Sequence, residues 1–587
     1  MAASRGQRRA PGRRPPKAPD RSGTLFLVLA AGLVLVAARL VWVQAVSAGT
    51  YAEQAADQRL RDIELSPRRG AIFDREGVPL AVTSPAKTIY ANPYQVKDKA
   101  GTAARIASVL GGDAAAYQDK LSKDAGFVYI GRKVDADRAR TLEEMKLPGL
   151  GFIEDSRRTY PSGDLACQVL GFVGVDDKGL AGIEQQYDAL LAGTPGRILA
   201  ERDPQGRLIP GGVQHYENAV DGEDVVLTID KDIQYLAQNE LAAAVKKWSA
   251  KSGSVVVMDP RNGEILAMAS VPTFDPNAYG KADSTAYRNR PVCDVYEPGS
   301  TIKSFTAAAV IDKGLFTPDS RFNLPSTLKV GGSTIHESHG RGAVNWSLTQ
   351  IVTNSSNVGA VKLGQALGRD DLYHYFTRFG LTEKTGIDFP GEVRGYLPPP
   401  GQWSGNSIGN IPFGQGISVT PLQLTRSMAA LANGGELVTP HLLLSVPDDD
   451  SIAAKTKRER AVAATTCAQM ADVLAAVITE GTGEGAAVPG YTVAGKTGTA
   501  QKVRADGRGY KGGGYVGSFS GYLPAEDPRL VIVVTLDEPT GAIYGGVVAA
   551  PVFSKVAQFA VTHLKIPPSS AASGAVETTA AAAVGRP

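Results

Sequence analysis

The chain is poor in the residues that build metal centres and disulfide frameworks. Its 587 residues include three cysteines and six histidines. Cys167, Cys293 and Cys467 lie far apart, and none has zinc-like spacing, which excludes a disulfide framework and leaves no metal site to assign. His336 and His339 form the only close histidine pair. They have no carboxylate or cysteine partner in a ligand pattern, so a structural or substrate-cleft role is expected. An excess of one charge is missing too. The net charge is +3, and beyond the first residues no basic stripe appears, which argues against nucleic acid. Residues 51–228 contain no phosphate loop and no nucleophile–base set.

Long hydrophobic runs are scarce as well, and the one at the N-terminus matters for that reason. Residues 24–46 are apolar except for Arg39 and Gln44, and about 20 apolar residues span a bilayer as a helix. Arg5, Arg8, Arg9, Arg13, Arg14, Lys17 and Arg21 precede it against a single Asp20. That flank predicts a cytoplasmic N-terminus and an exported bulk. The rival is a cleaved signal peptide, with a core over 25–38 and a cleavage region near Val46-Ser47-Ala48. The retained anchor is preferred because apolar character resumes after Arg39 with Leu40, Val41, Trp42 and Val43.

At this length two to four domains are expected. Residues 69–80 read as two strands around a turn at Glu76-Gly77, and 103–110 and 135–145 as short helices. A strand-like run covers 225–230, and 231–248 has helical periodicity. Runs at 254–259 and 264–270 flank Pro260-Arg261-Asn262-Gly263, a hairpin signal. A long, mostly helical block follows, then strands at 491–499, 515–522 and 530–536 and a helix over 549–562. The pattern predicts an α+β domain whose sheet takes strands from both ends, with a helical lobe inserted between them. Residues 566–587 are rich in Pro, Ser and Ala and read as disordered.

The chemistry centres on Tyr296-Glu297-Pro298-Gly299-Ser300-Thr301-Ile302-Lys303. A Pro-Gly turn opens a helix in which Ser300 and Lys303, at i and i+3, share one side of the first turn. A serine is a weak nucleophile until a base takes its proton. A lysine can be that base once burial or a neighbouring positive charge lowers its pKa. Downstream, Ser355-Ser356-Asn357 offers a relay hydroxyl and an amide able to hold a substrate. Gly495-Lys496-Thr497-Gly498-Thr499 reads as a strand with Thr497 and Thr499 on one face. Gly498 lets another backbone approach, and the two hydroxyls with Lys496 suit a small carboxylate. Taken singly, the last two motifs read as a helix cap and a strand end.

The three motifs in this order resemble the set found in penicillin-binding proteins and class A β-lactamases. The chain resembles the class B penicillin-binding proteins, the peptidoglycan D,D-transpeptidases. Arg69-Gly70-Ala71-Ile72-Phe73-Asp74-Arg75 and Gly182-Ile183-Glu184 with Tyr187 look like that family's N-terminal signatures. Phe413-Gly414-Gln415-Gly416 and Gly481-Thr482-Gly483 fit as well. Val516-Gly517-Ser518-Phe519-Ser520-Gly521 and Asp537-Glu538-Pro539 are similar to the division-type, septal branch.

The resemblance implies a basic cytoplasmic tail (1–22) and a transmembrane helix (23–46). A non-catalytic pedestal or dimerisation domain (47–228), a β-lactamase-like transpeptidase domain (229–565) and a disordered tail (566–587) would follow. Ser300 would attack the D-Ala-D-Ala carbonyl of a donor stem peptide, with Lys303 as its base. Ser355 and Lys496 would pass the proton to the leaving amine. Asn357, Thr497, Gly498 and Thr499 would bind the donor, and a side-chain amine of a second stem would accept the acyl group. β-Lactams would acylate Ser300. No metal or organic cofactor is implied. A multipass glycan polymerase and division proteins are the implied partners. A non-catalytic β-lactam sensor or division scaffold, a D,D-carboxypeptidase and a β-lactamase share the motifs and remain alternatives. Lys496 should depress the pKa of Lys303, so that the two lysines titrate as a coupled pair. Glu337, in Ile335-His336-Glu337-Ser338-His339, falls where relatives often carry an aspartate and has no role legible in the sequence.

Overall fold

The computed structural model of the protein describes residues 21–51, 60–202, 208–447, 456–503, 509–510 and 512–569. The basic tail expected over 1–22 and the disordered tail expected over 566–587 lie almost wholly outside the described residues. The rest divides into two compact units. One draws on Met1–Ser66 and Pro195–Ala219, the other on Pro67–Thr194 and Val220–Pro587. The stretch 47–228 therefore contributes to both.

In the first unit, an α-helix over Ser22–Val41 continues as a π-turn over Trp42–Val46. Its apolar side chains are exposed all round, from Leu25 and Phe26 to Val41 and Trp42. A helix that is apolar on every side belongs in lipid. Its 20 α-helical residues rise about 30 Å, the thickness of a bilayer core. The same unit holds a three-stranded antiparallel sheet with Gly196–Arg202 between Leu60–Leu65 and Leu208–Glu217.

The second unit opens with the expected hairpin. Ile72–Phe73 pairs with Pro79–Ala91 around Gly77, whose φ of +79° suits glycine. Asp74 accepts hydrogen bonds from the N–H groups of Glu76 and Val78 and pins the turn. Pro79–Ala91 also pairs with Val128–Asp135 and Leu150–Thr159. Helices Lys99–Leu110, Ala114–Leu121 and Ala136–Glu144 add to a core that includes Ile89, Ile106, Ile130 and Leu142.

Two of the N-terminal signature motifs meet in a buried charge cluster. The Glu184 carboxylate, 0% exposed, receives Arg69 Nε at 2.8 Å and Arg158 Nε at 2.6 Å. Tyr160 Oη donates to it at 3.2 Å. A buried charge must be paired and hydrogen-bonded to be tolerated, and Glu184 has both. Tyr187 Oη donates to Asp388 at 2.6 Å, and Asp388 also accepts from the N–H groups of Leu442 and Leu443.

The catalytic half starts with helix α1 (Lys231–Lys247), capped by Asp230. Strands β1 (Ser252–Met258) and β2 (Ile265–Val271) follow as a hairpin. Helix α2 spans Lys303–Asp312. The block after it, expected to be mostly helical, also carries short strands. Arg321–Leu324 pairs with Val344–Ser347, and Thr327–Val330 with β3 (Ser333–His336). Gly331 and Gly332, at φ of +53° and +91°, make the tight two-residue turn before β3. Helices α3 (Leu348–Thr353) and α4 (Asn357–Leu367) flank the Ser355 turn, and α5 (Ala464–Thr479) closes the lobe.

Strands β4 (Ala494–Gln501), β5 (Tyr515–Leu523) and β6 (Leu530–Asp537) then return to the sheet, and α6 (Ala550–His563) ends the domain. The sheet runs β2-β1-β6-β5-β4, antiparallel throughout. It takes strands from both ends of the domain, as expected. Alternation splits β1 between two cores: Val255 and Val257 join that of α1 and α6, Val256 and Met258 that of α2. Helix α2 is thus held under the sheet, with the start of its preceding turn against β4.

Candidate active site

Ser300 lies in a 3-10 turn, Gly299–Ile302, that runs directly into α2. The helix therefore begins one turn later than the Pro-Gly signal suggests, and Lys303 is its first residue. Two glycines let this turn sit where it does. A Cβ on Gly498 would meet Ser518 Oγ at 2.3 Å and the Pro298 carbonyl oxygen at 2.9 Å. A Cβ on Gly414 would meet the Gly299 carbonyl oxygen at 2.0 Å. Strand β4 and the Gly414-Gln415-Gly416 loop thus press on the backbone of the Ser300 turn, and Gly299 N–H donates to Gly414 O at 3.1 Å.

Lys303 is 1% exposed. Its Nζ donates to Ser355 O at 2.5 Å, to Ser355 Oγ at 3.2 Å and to Asn357 Oδ1 at 2.8 Å. Helix α2 and the α3–α4 turn meet at this amine. No hydrogen bond joins it to Ser300 Oγ among the described residues. Contacts of this kind tighten when substrate binds. Burial pushes the Lys303 pKa well below the ordinary lysine value, the like charge of Lys496 lowers it further, and Glu337 opposes both. Ser355 adopts φ of +55°, a left-handed conformation costly for a residue with a Cβ.

Lys496 is fully buried, and burial alone brings its pKa down to about 7. Lys496 Nζ donates to Thr497 O at 3.2 Å, to Thr497 Oγ1 at 3.1 Å and to Thr482 Oγ1 at 3.5 Å. It is not hydrogen-bonded to Ser355 among the described residues. Thr497 Oγ1 and Thr482 Oγ1 are 2.7 Å apart. Thr499 Oγ1 accepts the Gly545 N–H at 3.2 Å.

One cleft of 560 Å³ collects Ser300, Ser355, Asn357, Thr497 and Thr499. Lys303 and Lys496 reach it from beneath through the bonds above. Sequence reasoning gave no role to Thr482 and Tyr544 there, and expected a structural or substrate-cleft role for His339. Thr482, on the loop after α5, also lines the cleft. His339 and Tyr544 line it too and stack at 5.3 Å. Thr482 stands in a family motif, but only the fold shows which hydroxyl it meets. Glu337 accepts from Ser356 Oγ at 2.6 Å and from Asn357 N–H at 2.7 Å.

The family model described as the penicillin binding protein transpeptidase domain matches residues 253–558, a span that contains Ser300, Lys303, Ser355 and Lys496. The chain belongs to the penicillin-binding proteins. A second model, the penicillin-binding protein dimerisation domain, matches residues 64–227. Stage V sporulation protein D of Bacillus subtilis is 36% identical over 563 residues, covering 93% of this chain and 86% of that protein. Penicillin-binding protein PbpB of Mycobacterium tuberculosis is 36% identical over 582 residues, 93% of this chain and 85% of that protein. Peptidoglycan D,D-transpeptidase FtsI of Escherichia coli is 33% identical over 561 residues, 94% of this chain and 92% of that protein. The solved structure of penicillin binding protein 3 from Mycobacterium tuberculosis complexed with aztreonam superposes with a TM-score of 0.69 at 32% identity, covering 86% of this chain and 98% of that one. The fold is the α+β, two-part fold of these penicillin-binding proteins.

Proposed function

We propose that this penicillin-binding protein is a serine D,D-transpeptidase that cross-links peptidoglycan stem peptides at the division septum. The observation that carries the reading is Lys303: a buried amine with a depressed pKa, one helical turn after Ser300, bonded to Ser355 and Asn357. Neutral Lys303 takes the Ser300 proton as Oγ attacks the penultimate D-Ala carbonyl. The backbone N–H groups of Ser300 and Thr499 hold the oxyanion, each worth roughly 3 kcal/mol. Ser355 passes a proton to the departing D-Ala nitrogen as the C–N bond breaks. An acceptor amine then attacks the ester, its proton returns through Lys303, and Ser300 is released. Asn357 positions the donor. Thr497, Gly498 and Thr499, with the Lys496 ammonium and Thr482 behind them, receive its terminal carboxylate.

We further propose residues 23–46 as the transmembrane helix, with the N-terminus in the cytoplasm. Residues 47–228 serve as the pedestal and 229–565 as the transpeptidase domain, outside the membrane. The 1–21 charge supports that orientation. The names of FtsI and PbpB relatives and the division-type motifs support a septal role. Glycan strands would come from a separate multipass membrane polymerase, with division proteins as further partners. Fluorescent penicillin added to the detergent-solubilised full chain tests the acyl-enzyme. Stable labelling that disappears in Ser300→Ala supports the reading. Rapid turnover of the label indicates a lactamase, and no labelling at any pH sinks it.

A further inference from the structure

Glu337 carries no assigned role, yet it is among the most densely bonded side chains at the site. Its side chain is 6% exposed, and Oε1 pairs with Arg341 Nη2 at 2.5 Å. The same oxygen accepts Ser356 Oγ at 2.6 Å, and Oε2 accepts the Asn357 N–H at 2.7 Å. The residue before it takes part as well: His336 O accepts Asn357 Nδ2 at 2.9 Å. Arg341 also reaches Ser356 Oγ at 3.4 Å, and its guanidinium lies 4.7 Å from the Trp346 ring centre. The loop after β3 therefore grips the Ser355-Ser356-Asn357 turn from one side, while Lys303 grips it from the other.

We propose that Glu337 is a positioning residue for acylation: it holds the Ser355–Asn357 turn on Lys303, and Arg341 holds it in place. The inference rests on Lys303 being the base for Ser300. The turn needs such a hold because Ser355 sits at φ of +55°, a conformation that persists only when its surroundings enforce it. Two bonds to Ser356 and Asn357 supply that enforcement on both sides of the α4 N-terminus. The carboxylate also brings a negative charge to a lysine that must be neutral to act. The charged groups facing Lys303 are Lys496 from β4 and Glu337 from the loop after β3. Arg341 is paired with Glu337, which lies between His336, the last residue of β3, and His339 in the loop after it. Glu337 thus holds up the pKa that burial and Lys496 push down, and Arg341 tempers that effect.

The test is the acylation rate of the full chain by a chromogenic β-lactam, measured from acidic to alkaline pH. Glu337→Gln keeps an acceptor for the Asn357 N–H and removes the charge, so the acidic limb of its profile should move to lower pH. Arg341→Met leaves the carboxylate uncompensated, so its limb should move to higher pH. Glu337→Ala loses the hold on the turn, and its plateau rate should fall about 100-fold, the scale of a 1 Å misplacement of reacting groups. A merely structural glutamate would not move the two limbs in opposite directions. Unshifted limbs, limbs shifted the same way, or a Glu337→Ala plateau equal to wild type would overturn the proposal. Failure of the wild-type chain to acylate at any pH would instead overturn the transpeptidase reading on which it rests.

Discussion

Lys303 Nζ and Asn357 Oδ1 are 2.8 Å apart, across 54 residues of sequence. That bond joins the helix that carries the proposed base to the turn that presents the proposed relay hydroxyl. Replacing Lys303 by Met keeps length and removes the amine. Acylation by penicillin should then fall at least about 100-fold, the usual loss on removing a general base. The melting temperature should change little, because relief from burying an amine offsets the lost bonds to Ser355 O and Asn357 Oδ1. Stopped-flow labelling and thermal denaturation of the same preparation check both halves.

Lys496 makes stability depend on pH, with a definite sign. Its pKa is about 7 in the folded chain against an ordinary value of 10.5. Between those values the unfolded chain binds more protons, so stability rises with pH. The contribution is complete above pH 10.5 and is lost as pH falls towards 7, at up to about 1.4 kcal/mol per pH unit. Lys303 adds in the same direction. Lys496→Met should flatten the rise in denaturation midpoint expected of the wild-type chain between pH 7.5 and 9.5. An identical slope in both would contradict burial as the cause.

Thr482 meets Thr497 at 2.7 Å, so Thr482→Val removes one partner of a hydroxyl in the proposed carboxylate cradle and leaves it Lys496 Nζ at 3.1 Å. A lost hydrogen bond of this kind costs about 1 kcal/mol. The specificity constant for a D-Ala-D-Ala donor should fall roughly fivefold to tenfold, with Thr482→Ser close to wild type. Steady-state acylation of a thioester donor gives the comparison.

How much of this was legible in the sequence depended on distance along the chain. Ser300 and Lys303 are one turn apart, and Thr497 and Thr499 alternate on one strand, so local periodicity placed them. The same held for the strands of the main sheet and for the Glu76-Gly77 hairpin. What escaped was set by long-range packing. Nothing in the composition of Gly196–Arg202 says that it pairs with Leu60–Leu65. The bonds from Glu337 to Ser356 and Asn357 cross about 20 residues and a hairpin. Lys496 turns to Thr497 and Thr482 instead of Ser355, a direction fixed by the loop after α5. The hairpin before β3 did carry a signal in Gly331-Gly332 that the helical reading of the block passed over.

Glu184 tests the buried charge cluster of the proposed pedestal. Glu184→Gln leaves the Arg158 guanidinium buried against a neutral amide and Arg69 with Asp188 as its carboxylate partner. Breaking a buried pair in this way costs about 3–5 kcal/mol. Chemical denaturation should show that loss. The penicillin-labelling rate of the protein that remains folded should change little, since neither arginine lines the Ser300 cleft.

The most direct test of cross-linking through Ser300 is a product analysis. The full chain is supplied with polymerised glycan bearing pentapeptide stems, and cross-linked dimers and free D-Ala are quantified by mass spectrometry. The proposed reaction predicts one D-Ala released for each dimer formed, and loss of both with penicillin or in Ser300→Ala. Release of D-Ala without dimers, or dimers that persist in Ser300→Ala, would contradict it.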